Sequence, residues 1–180
     1  MRPRRALRYT LAAAGLAYAA AVLALYYTAR ATMTGPVRGE AGLTGYHIVY
    51  YGRTIVVPSL DWVAALSPLA LAAPTMLAAA SILLALGTPY SPEFYQAASL
   101  SMLVSDGIAK ALARILLNTL HSLRAQQQLV TTAGIITYPP VHLHINKSLH
   151  LILTFTTTEA ALLYSLAAIG LLTLLPTRGT

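Results

Sequence analysis

The chain has 180 residues, of which 57% are hydrophobic and 9% charged, with a formal net charge of +7. A soluble domain of average composition carries about 25% charge, so these proportions exclude one and specify an integral membrane protein. The absence of cysteine excludes disulfides, Cys-ligated zinc, iron–sulfur clusters and thiol nucleophiles.

At this length a single membrane domain over 1–180 is expected. Arg2, Arg4, Arg5 and Arg8 flank the first apolar segment, 6–28. They read as a cytoplasmic membrane anchor under the positive-inside rule rather than as a nucleic-acid surface. Arginine outnumbers lysine ten to two. Ala29-Arg30-Ala31 resembles a signal-peptide cleavage site, but the apolar run exceeds the about 7–15 residues of a signal-peptide core, so a retained transmembrane helix is expected. Within it Ala13, Ala17 and Ala21 are spaced four apart, as are Gly15 and Ala19. Small residues on one face let helix backbones approach closely in a membrane. Tyr9, Tyr26 and Tyr27 lie near its two ends, where aromatic belts sit.

Residues 29–60 form a first loop rich in breakers: Gly35-Pro36, Gly39, Gly42 and Gly45. The β-branched and aromatic runs 46–51 and 54–58, around Gly52-Arg53, predict a hairpin. The second apolar segment, 61–87, starts with Ser59 or Asp61 as a cap and Trp62 as an interface anchor. Pro68 and Pro74 inside it are expected as tolerated kinks. Ser91-Pro92-Glu93 then opens a further helix: a cap, a proline at the first position and an acid in the first turn. Over 93–121, Leu100, Leu103, Val104, Ile108, Ala111, Leu112, Ile115 and Leu116 follow helical spacing. Asp106, Lys110, Arg114, Asn118 and His121 follow it on another face. In the second loop, 122–148, the runs 128–132 and 135–138 around Ala133-Gly134 predict another hairpin, and 141–145 a further strand. The last apolar segment is 149–175.

Two topologies compete. Four crossings give an all-α membrane fold, a four-helix transmembrane bundle with small β-hairpin loops on the outer face. Three crossings leave 93–121 as an amphipathic helix on the membrane surface and put the two loops on opposite faces. Counting Lys and Arg favours three crossings, eight inside against four outside, where four crossings give five and five. The short 88–91 connection suits an antiparallel helical pair. Glu159, counted along one unbroken last helix, reaches nearly the depth of Lys110, with Asp106 and Arg114 a turn to either side. Two acids and two bases then form a balanced charge cluster, the arrangement that buried membrane charges need. These two points decide for four crossings.

Chemistry-bearing candidates are few. His142 and His144 share one face of a strand, and with His150 and His47 they are candidate ligands for copper or zinc. A polar-interface role for these histidines leaves the chain without a cofactor. The cluster of Glu159, Lys110, Asp106 and Arg114 reads as a structural charge cluster or as an ion pathway. Asn146-Lys147-Ser148 matches the glycosylation sequon. Metalloprotease, nucleophile-elbow, phosphate-loop and dinucleotide motifs are absent, and the expected role is non-enzymatic. The expectation is a multi-pass protein of the cell membrane, N-terminus cytoplasmic, serving as a structural or accessory subunit of a larger assembly. Its partners are then the lipid bilayer and other membrane subunits or copies of itself, with no nucleic acid. The alternatives are an oligomeric ion or proton channel or transporter, and an outer-face metal module of a membrane oxidase.

Overall fold

The structure is a computed structural model that describes residues 3–126, 128–131, 134–154 and 156–173. It is mostly helical with a small antiparallel sheet. In chain order come α1 (Pro3–Thr28), β1 (Arg30–Thr34), β2 (Val37–Gly42), β3 (Gly45–Tyr50), β4 (Arg53–Ile55), α2 (Pro58–Leu86) and α3 (Ser91–Gln126). Then follow β5 (Gln128–Thr131), β6 (Gly134–Thr137), β7 (His142–Ile145), α4 (Lys147–Leu153) and α5 (Thr156–Leu172). Two helices, over Arg5–Thr28 and Pro58–Leu86, are long and apolar enough to cross a membrane; α4 and α5 together make a third candidate as one broken span. The last apolar segment is therefore not one helix. Thr154 caps α4 in extended backbone, its N–H still donating to the Leu151 carbonyl.

The chain divides into two compact units. One comprises Met1–Ala24, Leu69–Gly107 and Phe155–Thr180; the other comprises Leu25–Pro68 and Ile108–Thr154. The first, the helical unit, has a core of Leu11, Ala19, Leu77, Leu84, Tyr95 and Met102, among others. Of the two small-residue stripes on α1, Gly15 and Ala19 are buried, whereas Ala13, Ala17 and Ala21 are exposed. Gly15 explains the difference. A Cβ there would lie 2.3 Å from Ser81 Oγ and 2.6 Å from the Tyr95 hydroxyl, so only glycine lets α1 approach its neighbours this closely.

α2 runs unbroken through its two interior prolines, because the carbonyls they leave without a helical donor find other ones. Pro68 would have bonded the Ala64 carbonyl; Ser67 Oγ donates to it at 2.9 Å. Pro74 would have bonded the Ala70 carbonyl; Ser105 Oγ, on α3, donates to it at 2.5 Å. Hydroxyls that replace a missing N–H are how apolar helices accommodate proline. α2 ends at Gly87, in left-handed backbone (φ 72°), and its last turn contains no basic residue. Arg8 of α1 supplies that charge, donating from Nη2 to the Ala85 carbonyl at 3.4 Å, where a cation complements the helix dipole.

The second unit contains both sheets. β5 and β6 pair as the expected hairpin, although residues 132 and 133 of its turn lie outside the described residues. The other sheet has the order β4-β3-β2-β1-β7. Its β3–β4 hairpin matches the sequence expectation. β1 and β2, which the glycine-rich run concealed, do not appear in that expectation. β1 pairs with β7 from Ala31 opposite Ile145 to Thr34 opposite His142, so the two loops join in one sheet. Its side chains alternate between two faces. Ala31, Met33, Val37, Ala41, Ile48 and Ile55 point inward and are buried.

Asn146 holds this junction together. Its Oδ1 accepts from the N–H of Leu149 at 2.9 Å and of Arg30 at 3.2 Å, capping α4 and the start of β1. Its Nδ2 donates to the Thr28 carbonyl. The sequon asparagine is thus a three-way clamp.

Candidate functional site

The helical unit carries a seam of hydroxyls and one carboxylate along α3. Tyr95, Ser99, Met102, Ser105 and Asp106 recur at helical spacing on its buried face. The Tyr95 hydroxyl lies 2.7 Å from the Leu11 carbonyl, to which it donates, and 2.5 Å from the Tyr164 hydroxyl. Tyr164 stacks on Tyr18 with ring centroids 4.3 Å apart. Ser165 Oγ donates to the Ser99 carbonyl at 2.7 Å, and Thr158 Oγ1 donates to Asp106 Oδ2 at 2.6 Å. Together with the Ser105 bond to Ala70, these contacts tie α1, α2, α3 and α5 by directional bonds. Interhelical hydrogen bonds in apolar surroundings are each worth about 0.6–2 kcal/mol. The seam fixes which helix faces meet.

The structure treats the four members of the expected charge cluster differently. Asp106 is 4% exposed and bonded to Thr158. Lys110 is half-buried; Arg114 is exposed, as are Asn118 and His121, so of the polar stripe only Asp106 is fully buried. Glu159 is exposed and forms no ion pair with another described residue. It stands in the first turn of α5 because the chain breaks its helix just before. The depth reckoned along an unbroken helix therefore does not apply. The positive end of the α5 dipole now faces its carboxylate.

In the second unit, the outward face of the five-stranded sheet carries the chemistry-bearing side chains. One cross-strand row runs His144, Thr32, Glu40, His47 over β7, β1, β2 and β3. Neighbouring strands lie about 4.8 Å apart, so His47 and His144 are roughly 14 Å apart along that row. A metal ion takes each imidazole at about 2.0–2.1 Å, so these two cannot share one. His142 and His144 do share the exposed face of β7, and His150 is exposed on α4. Among the described residues, no three His, Asp or Glu side chains converge as metal ligands. Beside the row, Arg30 Nη1 meets Glu40 Oε2 at 2.9 Å with both side chains more than half exposed, a pair worth at most about 1 kcal/mol.

Of the basic anchor residues, Arg5 is exposed and Arg8 caps α2; Arg2 and the Arg4 side chain lie outside the described parts. Tyr9, Tyr27 and Trp62 are exposed, as interfacial aromatics are, whereas Tyr26 is buried.

Two loop tyrosines are held by the same kind of bond. The Tyr46 hydroxyl donates to Asp61 Oδ1 at 2.7 Å and accepts from the Val57 N–H at 2.9 Å. Burial, followed by the Asp61 bond, raises its pKa. Buried Tyr138 donates to the Leu123 carbonyl at 2.6 Å, and burial pushes its pKa up to about 12. A pKa raised by folding means that the stabilisation is complete below the unfolded value of about 10 and is lost as pH climbs through 12. The loop around Tyr138 should therefore become sensitive to proteolysis between pH 10 and 12. Tyr138→Phe should lose that part of the pH dependence, at about 1 kcal/mol lower stability at neutral pH.

Comparison of the chain with protein-family models, with curated proteins and with solved structures finds no match.

Proposed function

We propose that this chain is a non-enzymatic, multi-pass membrane protein, a structural or accessory subunit of a larger assembly, built on four crossings. The observation that carries the topology is the β1–β7 pairing. It joins the loop between α1 and α2 to the loop between α3 and α4. Both loops then lie on one side of the bilayer, which suits α2 and α3 as an out-and-back pair and does not suit three crossings. α3 supplies the fourth crossing with its buried face toward the bundle, its 36 residues being ample for a core about 30 Å thick. In this reading the arginines at the start of α1 favour a cytoplasmic N-terminus, with the sheet outside, in the cell membrane. The assembly role rests on the seam: its polar groups are spent on helix–helix bonds, which suits packing rather than turnover.

The native chain has no cysteine, so single cysteines report topology cleanly. Arg53→Cys on β4 and Ile135→Cys on β6 should both react with a membrane-impermeant maleimide on intact cells. Labelling of one without the other would put the loops on opposite sides and end the four-crossing reading. The assembly role is tested by purification in mild detergent. Partner subunits or a defined homo-oligomer are expected, and a strict monomer would count against it.

A further inference from the structure

The second unit has seven Lys and Arg against two acids, and it holds all five histidines. Both acids are engaged inside the unit: Glu40 with Arg30, and Asp61 with the Tyr46 hydroxyl. Register puts two of the basic residues on the outward sheet face, Arg30 paired with Glu40, and Arg38 without an acid beside it in the register. Arg38, opposite Val49, stands there with His47, His142 and His144, and all four are exposed.

The rest of the face decides between anionic partners. Thr32, Thr34 and Thr54 add hydroxyls, and the apolar member, Val49, is half-buried. A bilayer surface is bound by basic residues flanked by inserting Trp, Phe or Leu, which this face lacks. Single-stranded nucleic acid is bound by aromatic stacking platforms on a basic groove, also lacking here. Carboxylates fit what is present: arginine forks, imidazole N–H groups and threonine hydroxyls. We propose that the outward face of this sheet docks a carboxylate-bearing segment of a partner protein. The inference rests on the assembly reading and gives that partner its chemistry.

The test uses the full chain in mild detergent, titrated with a fluorescein-labelled ten-residue poly-aspartate peptide at about 50 mM salt, where screening is weak. Saturable binding is expected. It should weaken at least about tenfold in Arg38→Glu/His144→Glu, which alters outward side chains alone, and be unchanged in Arg114→Glu on α3. Arg38→Ala is the milder second variant, with an intermediate loss.

No saturable binding, or an equal loss in Arg114→Glu, overturns the proposal, as does capture by phosphatidylglycerol vesicles in place of the peptide. Co-purification is scored on the same variants. Partners retained by Arg38→Glu/His144→Glu sink the docking face and leave the assembly reading standing. A solitary wild-type chain sinks the assembly reading, and the peptide titration then decides the face alone.

Discussion

Gly15→Val should unfold the helical unit, or lower its stability by on the order of 3 kcal/mol, the upper part of the range for overpacking a well-filled core. Even the first added carbon would lie 2.3 Å from Ser81 Oγ, 2.6 Å from the Tyr95 hydroxyl and 2.9 Å from a Tyr95 ring carbon. Tyr95 cannot swing aside. It is fully buried, and its hydroxyl is held by the Leu11 carbonyl and by Tyr164. α1 would have to withdraw, which pulls Leu11 from Tyr95 and breaks the seam at its α1 end. Gly15→Ala should show the same effect at smaller size. The matched controls are Gly107→Ala and Gly170→Ala on α3 and α5, where an added Cβ meets nothing within 4 Å. Those should be neutral, or stabilising by up to about 1 kcal/mol from helix propensity. Thermal unfolding in detergent compares all four. Equal behaviour of Gly15→Ala and Gly107→Ala would show that α1 does not pack as described.

Gly39→Ala should be nearly as damaging, but in the sheet. Gly39 has φ 147°, a backbone that side chains rarely adopt and that costs about 1–3 kcal/mol when forced on them. Its Cβ would also lie 2.0 Å from the His47 carbonyl oxygen and 2.9 Å from Ile48 Cα. Those are backbone atoms of the paired strand, so no side-chain rotation relieves the contact. The β2–β3 ladder must open, and with it the path that links β4 to β1 and β7. The expected result is loss of protease resistance in both loops while the helical unit keeps its melting behaviour. Gly52→Ala, also at positive φ (83°) but with open space around it, should show the backbone strain alone and be milder.

The helices were legible because lipid-length apolar runs are a strong signal. Caps such as Ser91-Pro92-Glu93 placed their starts, and α3 indeed begins at Ser91. The β3–β4 and β5–β6 hairpins and β7 were legible from β-branched runs around glycine pairs. β1 and β2 were not. Gly35, Gly39 and Gly42 read as punctuation, whereas two of them carry close strand approaches: Gly39 against His47, and Gly42 with its would-be Cβ 2.8 Å from the Ala29 carbonyl. The break between α4 and α5 was not part of the sequence expectation, although the polar run Thr156-Thr157-Thr158-Glu159 interrupts the apolar segment beside it. It puts Glu159 in the first turn of α5. Ser67 and Ser105 looked like ordinary small polar residues. Nothing in their local sequence says that each completes a carbonyl bared by a proline, one of them on another helix.

The amino-acid sequence alone determined that this chain has helices long and apolar enough to cross a membrane, roughly where they lie, and that its loops favour β-structure. These follow from composition and from local periodicity, which act over neighbouring residues. The tertiary structure decided what depends on residues far apart in the chain. It paired β1 with β7, chose Gly15 and Ala19 over Ala13, Ala17 and Ala21 as the packing stripe, and sorted the charges. Asp106 went inside with Thr158; Glu159 and Arg114 stayed exposed. The reason is physical. A buried carboxylate needs a donor within about 3 Å, and which side chain comes that close is set by how helices cross.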